Sequence, residues 1–158
     1  RGYGGSSGSA SEEALYSDAV ALYEEAAKSS DSIVVMGRSL GTGVAVYLAS
    51  QKKVRRLILV TPFDSMNRLA SSHYPFVPGP LLPTDRFESI SRPADIDIPT
   101  LVLIAEHDEV IPRRNSDRLV SALNPELTSV QAVSGTNHNS IETNPMYHDT
   151  IKSFVSSD

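Results

Sequence analysis

Ser39 stands at the centre of Gly37-Arg38-Ser39-Leu40-Gly41, between the apolar run Ile33-Val34-Val35-Met36 and the helix-like stretch Thr42 to Ser50. A serine on such a sharp strand-to-helix turn is held in a strained backbone conformation, and the flanking glycines leave no Cβ to collide with the strand and helix. Its hydroxyl is then pushed out above the sheet as a nucleophile. The backbone N–H of Leu40 opens the helix, where unpaired donors and the helix dipole favour a developing oxyanion. Taken alone, the pentapeptide is equally well a Gly/Ser-rich turn without chemistry. Its placement and the residues that follow favour the nucleophile.

Two further groups complete a chemistry. Leu101-Val102-Leu103-Ile104-Ala105 reads as a buried strand that runs into Glu106-His107-Asp108-Glu109-Val110-Ile111-Pro112. Val130-Gln131-Ala132-Val133 reads as another, running into Ser134-Gly135-Thr136-Asn137-His138-Asn139. An acid, Asp108, and a base, His138, thus emerge at the C-terminal ends of two successive strands, where open α/β sheets place their sites. A hydroxyl nucleophile, an imidazole to take its proton and a carboxylate to orient the imidazole are the parts needed for acyl transfer.

Other residues compete for these roles. Asp64, after the strand expected at 56–60, is the alternative acid, and Asp108 has the better motif. His107 adjoins Asp108, but neighbours at a strand end point in different directions, so it reads as a turn residue. His73 in a Pro-rich segment and His148 on a helix read as surface or packing residues. Tyr74, Phe76 and Leu81, with Val77 and Leu82, either line an acyl pocket or simply cover the core. His138 with Asp108 and Glu109 makes a poor metal site without a spaced pair of histidines, so neither a metal nor a cofactor is expected.

The elements that must position these groups alternate. Glu12 to Lys28 carries Ala14, Leu15, Ala19, Leu22 and Ala26 at the helical period, with Ser11 as N-cap. A strand at 32–36, a helix at 40–51 and a strand at 56–60 follow. The segment 61–99 holds Pro62, Pro75, Pro78, Pro80, Pro83, Pro93 and Pro99 and is expected to be irregular, folding over the strand ends like a cap. A strand at 100–105, a helix at about 114–123, a strand at 128–133 and a helix at about 143–156 complete the chain. Strands joined by helical crossovers imply an α/β fold, a parallel sheet with helices on both faces.

Composition sets bounds on function. The 158 residues are 40% hydrophobic and 21% charged, enough for one core and one domain. A net charge of -5 argues against a general nucleic-acid binder, and the absence of cysteine excludes disulfides, a thiol nucleophile and thiolate metal sites. No apolar stretch reaches membrane-spanning length, and the start does not resemble a signal peptide. The basic cluster Lys52-Lys53-Val54-Arg55-Arg56 falls where a helix ends and a strand begins. Cations there favour the helix dipole and solvate the turn, a reading preferred to an anionic-lipid patch.

Together the motifs resemble a known family. Arg1-Gly2-Tyr3-Gly4-Gly5-Ser6-Ser7-Gly8, Gly37-Arg38-Ser39-Leu40-Gly41, Thr61-Pro62-Phe63-Asp64-Ser65, Asp85-Arg86-Phe87, Pro99-Thr100-Leu101, His107-Asp108-Glu109-Val110-Ile111-Pro112 and Asn137-His138-Asn139 are similar, over nearly the whole chain, to successive motifs of the α/β-hydrolase superfamily. The chain order Ser39, Asp108, His138 is that superfamily's triad order. The pattern is most similar to the serine hydrolases of the ABHD12, ABHD13 and ABHD17 types and their Bem46-like relatives.

That resemblance implies a hydrolase of carboxylic esters or thioesters, lipid-derived ones among the candidates, acting through Ser39, His138 and Asp108, with Leu40 N–H as half of the oxyanion hole. It also implies that strands one to four, and the loop supplying the other oxyanion amide, precede Arg1. The chain is then expected to be the C-terminal portion of one hydrolase domain. The strand at 32–36 becomes a sheet edge to be covered by the missing portion or by a second copy, although its apolar run reads as buried on both faces. The alternative is a non-catalytic, hydrolase-like binding module.

Overall fold

The computed structural model describes residues 1–2, 4–74 and 84–157. Its elements run α1 (Glu12–Ala27), β1 (Val34–Arg38), α2 (Leu40–Gln51), β2 (Arg56–Val60), α3 (Met66–His73), β3 (Thr100–Ala105), α4 (Arg113–Ala122), β4 (Thr128–Val133) and α5 (Pro145–Ser156). Local chemistry sets several of the boundaries. Ser11 caps α1, its hydroxyl oxygen accepting from the N–H of Ala14 at 3.2 Å. Asn144 caps α5 in the same way, accepting from Met146, and Pro145 takes the first helical position, where a missing N–H costs nothing.

Two boundaries differ from the sequence expectation by two residues, and one segment differs in kind. β1 runs from 34 to 38 rather than 32 to 36, because its parallel register pairs Val34 with Arg56 and Arg38 with Val60. α5 starts at Pro145 rather than 143, since Ile141–Thr143 forms a short 3-10 turn before it. The segment 61–99 is less irregular than its prolines suggest. Between Pro62 and Pro75 the chain is free of proline, and Ser65 caps α3 by accepting from the N–H of Arg68. His73 therefore lies at the end of a helix.

The strands form one parallel sheet in the order β1-β2-β3-β4. Alternation divides their side chains between two layers. Leu57, Leu59, Val102 and Ile104 pack with Val35 under α2 and α4, where Ala45, Val46, Leu48, Leu119 and Leu123 are buried, and Ala19, Val20 and Tyr23 of α1 close the same side. Ile58, Val60, Leu101 and Leu103 face the other way, against Tyr147, Ile151 and Phe154 of α5. Helices thus cover both faces, as expected for an α/β fold.

β1 and β4 are the outer strands among the described residues. The edge position of β1 follows the expectation, but it is not buried on both faces: Met36 is 46% exposed. A groove of about 410 Å³ runs beside it, lined by apolar residues that include Leu22, Met36, Val44 and Leu48. Three of the four cations of the basic cluster are engaged locally. Lys52 pairs with Glu24 at 2.8 Å, and Arg55 and Arg56 both donate to the carbonyl of Ser157 near the end of α5.

Candidate active site

Ser39 is the single residue between β1 and α2, with φ 50° and ψ -121°. A side-chain-bearing residue rarely adopts this conformation, and its cost is held by the surroundings. The Ser39 N–H donates to the carbonyl of Val60 at the end of β2 at 2.9 Å, and the Ser39 carbonyl accepts from both the N–H and the hydroxyl of Thr42. Gly37 allows the close approach: a Cβ there would sit 2.3 Å from the carbonyl oxygen of Gly41 and 2.7 Å from the Cβ of Ala45. Gly41 meets no such obstacle among the described residues, so the two glycines are not equivalent.

Asp108 sits in a tight turn after β3. Asp108 Oδ1 accepts from the N–H groups of Val110 at 3.0 Å and Ile111 at 2.7 Å, which orients the carboxylate from its own loop. His138 sits in the turn after β4. There Gly135 adopts φ 70°, and Asn137 Oδ1 accepts from the N–H groups of Asn139 and Ser140. The N–H of His107 donates to the carbonyl of Thr136 at 2.9 Å and ties the two loops together.

The loops bring three residues into a chain of hydrogen bonds. His138 Nε2 lies 3.0 Å from Ser39 Oγ, and His138 Nδ1 lies 2.9 Å and 3.0 Å from the two oxygens of Asp108. Side-chain exposures of 8% for His138 and 4% for Asp108 keep this contact largely out of water. Ionic and hydrogen-bonding contacts count for more there than at a solvated surface. With its proton on Nδ1, donated to Asp108, the imidazole presents a free Nε2 lone pair to the Ser39 hydroxyl.

The competing residues lie elsewhere. Asp64 is fully buried, but it accepts from Asn115 and Arg118 and does not contact His138. His107 is exposed, 3.7 Å from Glu106. His73 Nε2 contacts the carbonyl of Val110, and His148 Nε2 that of Glu142. Leu40 is the first residue of α2, so its N–H has no intrahelical acceptor. Tyr74 follows α3, is exposed, and has its ring tilted against His73. Phe76 and Leu81, with Val77 and Leu82, lie outside the described residues. No group of His, Cys, Asp or Glu among the described residues is arranged to hold a metal ion.

One residue of the pentapeptide has a role that spacing did not reveal. Arg38 Nη2 donates to the carbonyl of His138 at 2.9 Å and Nη1 to Glu142 Oε2 at 3.1 Å, bracing the histidine loop from β1. No local signal pairs position 38 with position 138, because the contact exists only once β1 and the loop after β4 lie at the same end of the sheet.

The serine hydrolase family profile matches residues 13–143. The chain belongs to the serine hydrolase family. It is 39% identical over 146 residues to an uncharacterised protein of Mycobacterium tuberculosis, covering 90% of this chain and 52% of that protein. It is 34% identical to alpha/beta hydrolase domain-containing protein aho-3 of Caenorhabditis elegans over 98% of this chain and 46% of that one. Human alpha/beta hydrolase domain-containing protein 17C is 32% identical, over 98% and 47%. This serine hydrolase chain therefore spans about half the length of the curated relatives it matches. Among solved structures, a hydrolase from Agrobacterium vitis superposes with a TM-score of 0.73 at 15% identity, covering 99% of this chain and 74% of that one. The enol-lactonase of Burkholderia xenovorans does so with 0.71 at 17%, covering 99% and 78%. At these identities the likeness extends to the fold: an α/β-hydrolase sheet with its helices.

Proposed function

We propose that the protein hydrolyses carboxylic esters or thioesters, lipid-derived acyl groups among them, through a Ser39 acyl-enzyme. The observation that carries this reading is the unbroken contact from Ser39 Oγ through His138 to Asp108, with Ser39 on a strained turn. Ser39 Oγ attacks the acyl carbonyl as its proton passes to His138 Nε2, and the imidazolium so formed is stabilised by Asp108. His138 returns the proton to the leaving oxygen or sulfur as that bond breaks. Water then gives a proton to His138 as its oxygen attacks the acyl-enzyme; the bond to Ser39 Oγ breaks, His138 returns that proton to Oγ, and the acid leaves. The sequence needs no metal or cofactor.

The N–H of Leu40, at the head of α2, would bind the oxyanion of each tetrahedral intermediate. A second oxyanion donor would complete the hole, as the family resemblance implies; the chain spans about half the length of the relatives it matches. The 61–99 segment, with Tyr74, Phe76 and Leu81, would act as the cap and acyl-pocket lining. A fluorophosphonate probe tests the reading, since covalent capture requires an activated serine. The whole protein should label at Ser39, Ser39→Ala should abolish labelling, and Leu40→Ala should preserve it because that residue acts through its backbone. Equal labelling of wild type and Ser39→Ala would leave the non-catalytic binding module as the reading.

A further inference from the structure

At the same end of the sheet as Ser39, α3 and α4 flank a hollow of about 440 Å³ lined by Arg68, Ser71 and Ser72 from α3 and by Arg114 and Arg118 from α4. Asp64 anchors it from within the fold. Its side chain is fully buried; Oδ1 accepts from Asn115 Nδ2 at 2.8 Å, and Oδ2 accepts from Arg118 Nη1 at 3.1 Å and lies 3.7 Å from Arg68 Nη1. One carboxylate oxygen therefore draws two guanidinium groups together. Arg114 completes the set, donating to the carbonyl of Ser72 at 3.3 Å. The nearby carboxylate of Asp117 is engaged by Arg113 at 2.7 Å.

The charge balance of the hollow is unequal. Three arginines remain charged at any physiological pH, and one buried carboxylate opposes them, which leaves two positive charges. Arg68 and Arg118 keep 54% and 41% of their side chains exposed, so guanidinium N–H groups remain free to donate outward. The serine hydroxyls turn their protons inward, Ser71 to the carbonyl of Asn67 and Ser72 to that of Arg68, and do not compete as donors. Forked donors carrying a net charge of two match a phosphate monoester, which bears about -1.5 to -2 at neutral pH, better than a singly charged carboxylate.

We propose that the hollow between α3 and α4 is a binding site for a phosphate-bearing group, held by Arg68, Arg114 and Arg118. It adjoins the acid loop: His73, the last residue of α3, contacts the carbonyl of Val110, whose own N–H donates to Asp108. A phosphorylated ligand seated there would lie beside the proposed hydrolytic site. The inference does not depend on hydrolysis, and its test reads binding alone.

The test titrates the whole protein by calorimetry with inorganic phosphate, and by flotation with phosphatidylcholine vesicles with and without phosphatidate. Arg68→Ala with Arg114→Ala should weaken binding at least about tenfold, given the strength of charge-assisted contacts. Arg114→Gln alone is the milder variant should the double change impair folding, and Lys53→Ala controls for diffuse charge. Binding of free phosphate, reduced in the arginine variants only, supports a soluble phosphorylated ligand. Binding confined to phosphatidate vesicles, reduced in the same variants, supports a lipid headgroup. No binding of either probe, unchanged binding in the arginine variants, or equal weakening by Lys53→Ala overturns the proposal.

Discussion

Arg38 donates to the backbone carbonyl of His138 at 2.9 Å, so the residue before Ser39 braces the loop that carries His138. The same guanidinium reaches Glu142, while its Nε is buried without an acceptor among the described residues. An arginine with a buried, unmet donor is retained at a cost, and its other bonds must offset that cost.

Arg38→Met should therefore loosen His138 more than it destabilises the fold. The expected outcome is a fall in kcat of about ten- to a hundredfold, as one or two charge-assisted hydrogen bonds would give, with KM little changed. A loss of thermal stability with unaltered kinetics per folded molecule would make Arg38 purely structural.

Asp108 and Asp64 offer a ranking. Asp108→Asn should lower turnover by roughly 10⁴ by favouring the wrong imidazole tautomer. Asp64→Asn should spare chemistry and instead cost stability, on the order of 1–3 kcal/mol, since its arginine partners are half-exposed and water replaces part of the lost pairing. Steady-state kinetics with chemical denaturation separates the two effects. The reverse order would move the acid to Asp64.

Alkaline stability follows from Tyr16. Burial, aided by the hydrogen bond to Glu12, holds its hydroxyl pKa far above the ordinary tyrosine range, and burial raises Tyr147 as well. The unfolded chain ionises near pH 10 while the folded chain keeps these protons, so unfolding releases protons and stability falls as pH rises above about 10. Below that pH the contribution is fully present. Urea midpoints should be flat from neutrality to about pH 9 and then decline, with a shallower decline in Tyr16→Phe. Identical slopes in the two proteins would show that another group controls the transition.

The exposed edge of β1 and its apolar groove carry a consequence for association. An unpaired apolar strand edge recruits another strand or surface. Among the described residues only β2 pairs with β1, so residues 1–158 should self-associate, or exchange the outward-facing amides of Val34 and Met36 rapidly while those of Val35 and Gly37, which face β2, stay protected. Light scattering after size exclusion, with hydrogen exchange, reads both. A monodisperse monomer in which the Val34 and Met36 amides are strongly protected would contradict the expectation.

Local chemistry made much of this protein legible in one dimension. The apolar runs at 33–36, 56–60 and 100–105, the Ser11 cap, and the helical period of 12–28 encode strands and helices through nearest-neighbour physics, and each formed within two residues of its expected place. α3 escaped because the density of prolines in 61–99 outweighed the short proline-free stretch between Pro62 and Pro75, where one serine cap suffices. The residue types needed for acyl transfer could also be picked out, since Ser39, Asp108 and His138 each follow a strand.

Only the tertiary structure decided which of them meet. Asp64 and Asp108 both follow strands, and sequence could only rank them; the parallel register carries the loop after β3 beside the loop after β4 and turns Asp64 toward Asn115 and Arg118 instead. The Arg38 brace and the arginine hollow are equally invisible in sequence, since their members lie far apart along the chain. Elements arise from short-range periodicity, whereas sites arise where crossovers return distant strand ends to one side of the sheet, and that return is a property of the packed sheet alone.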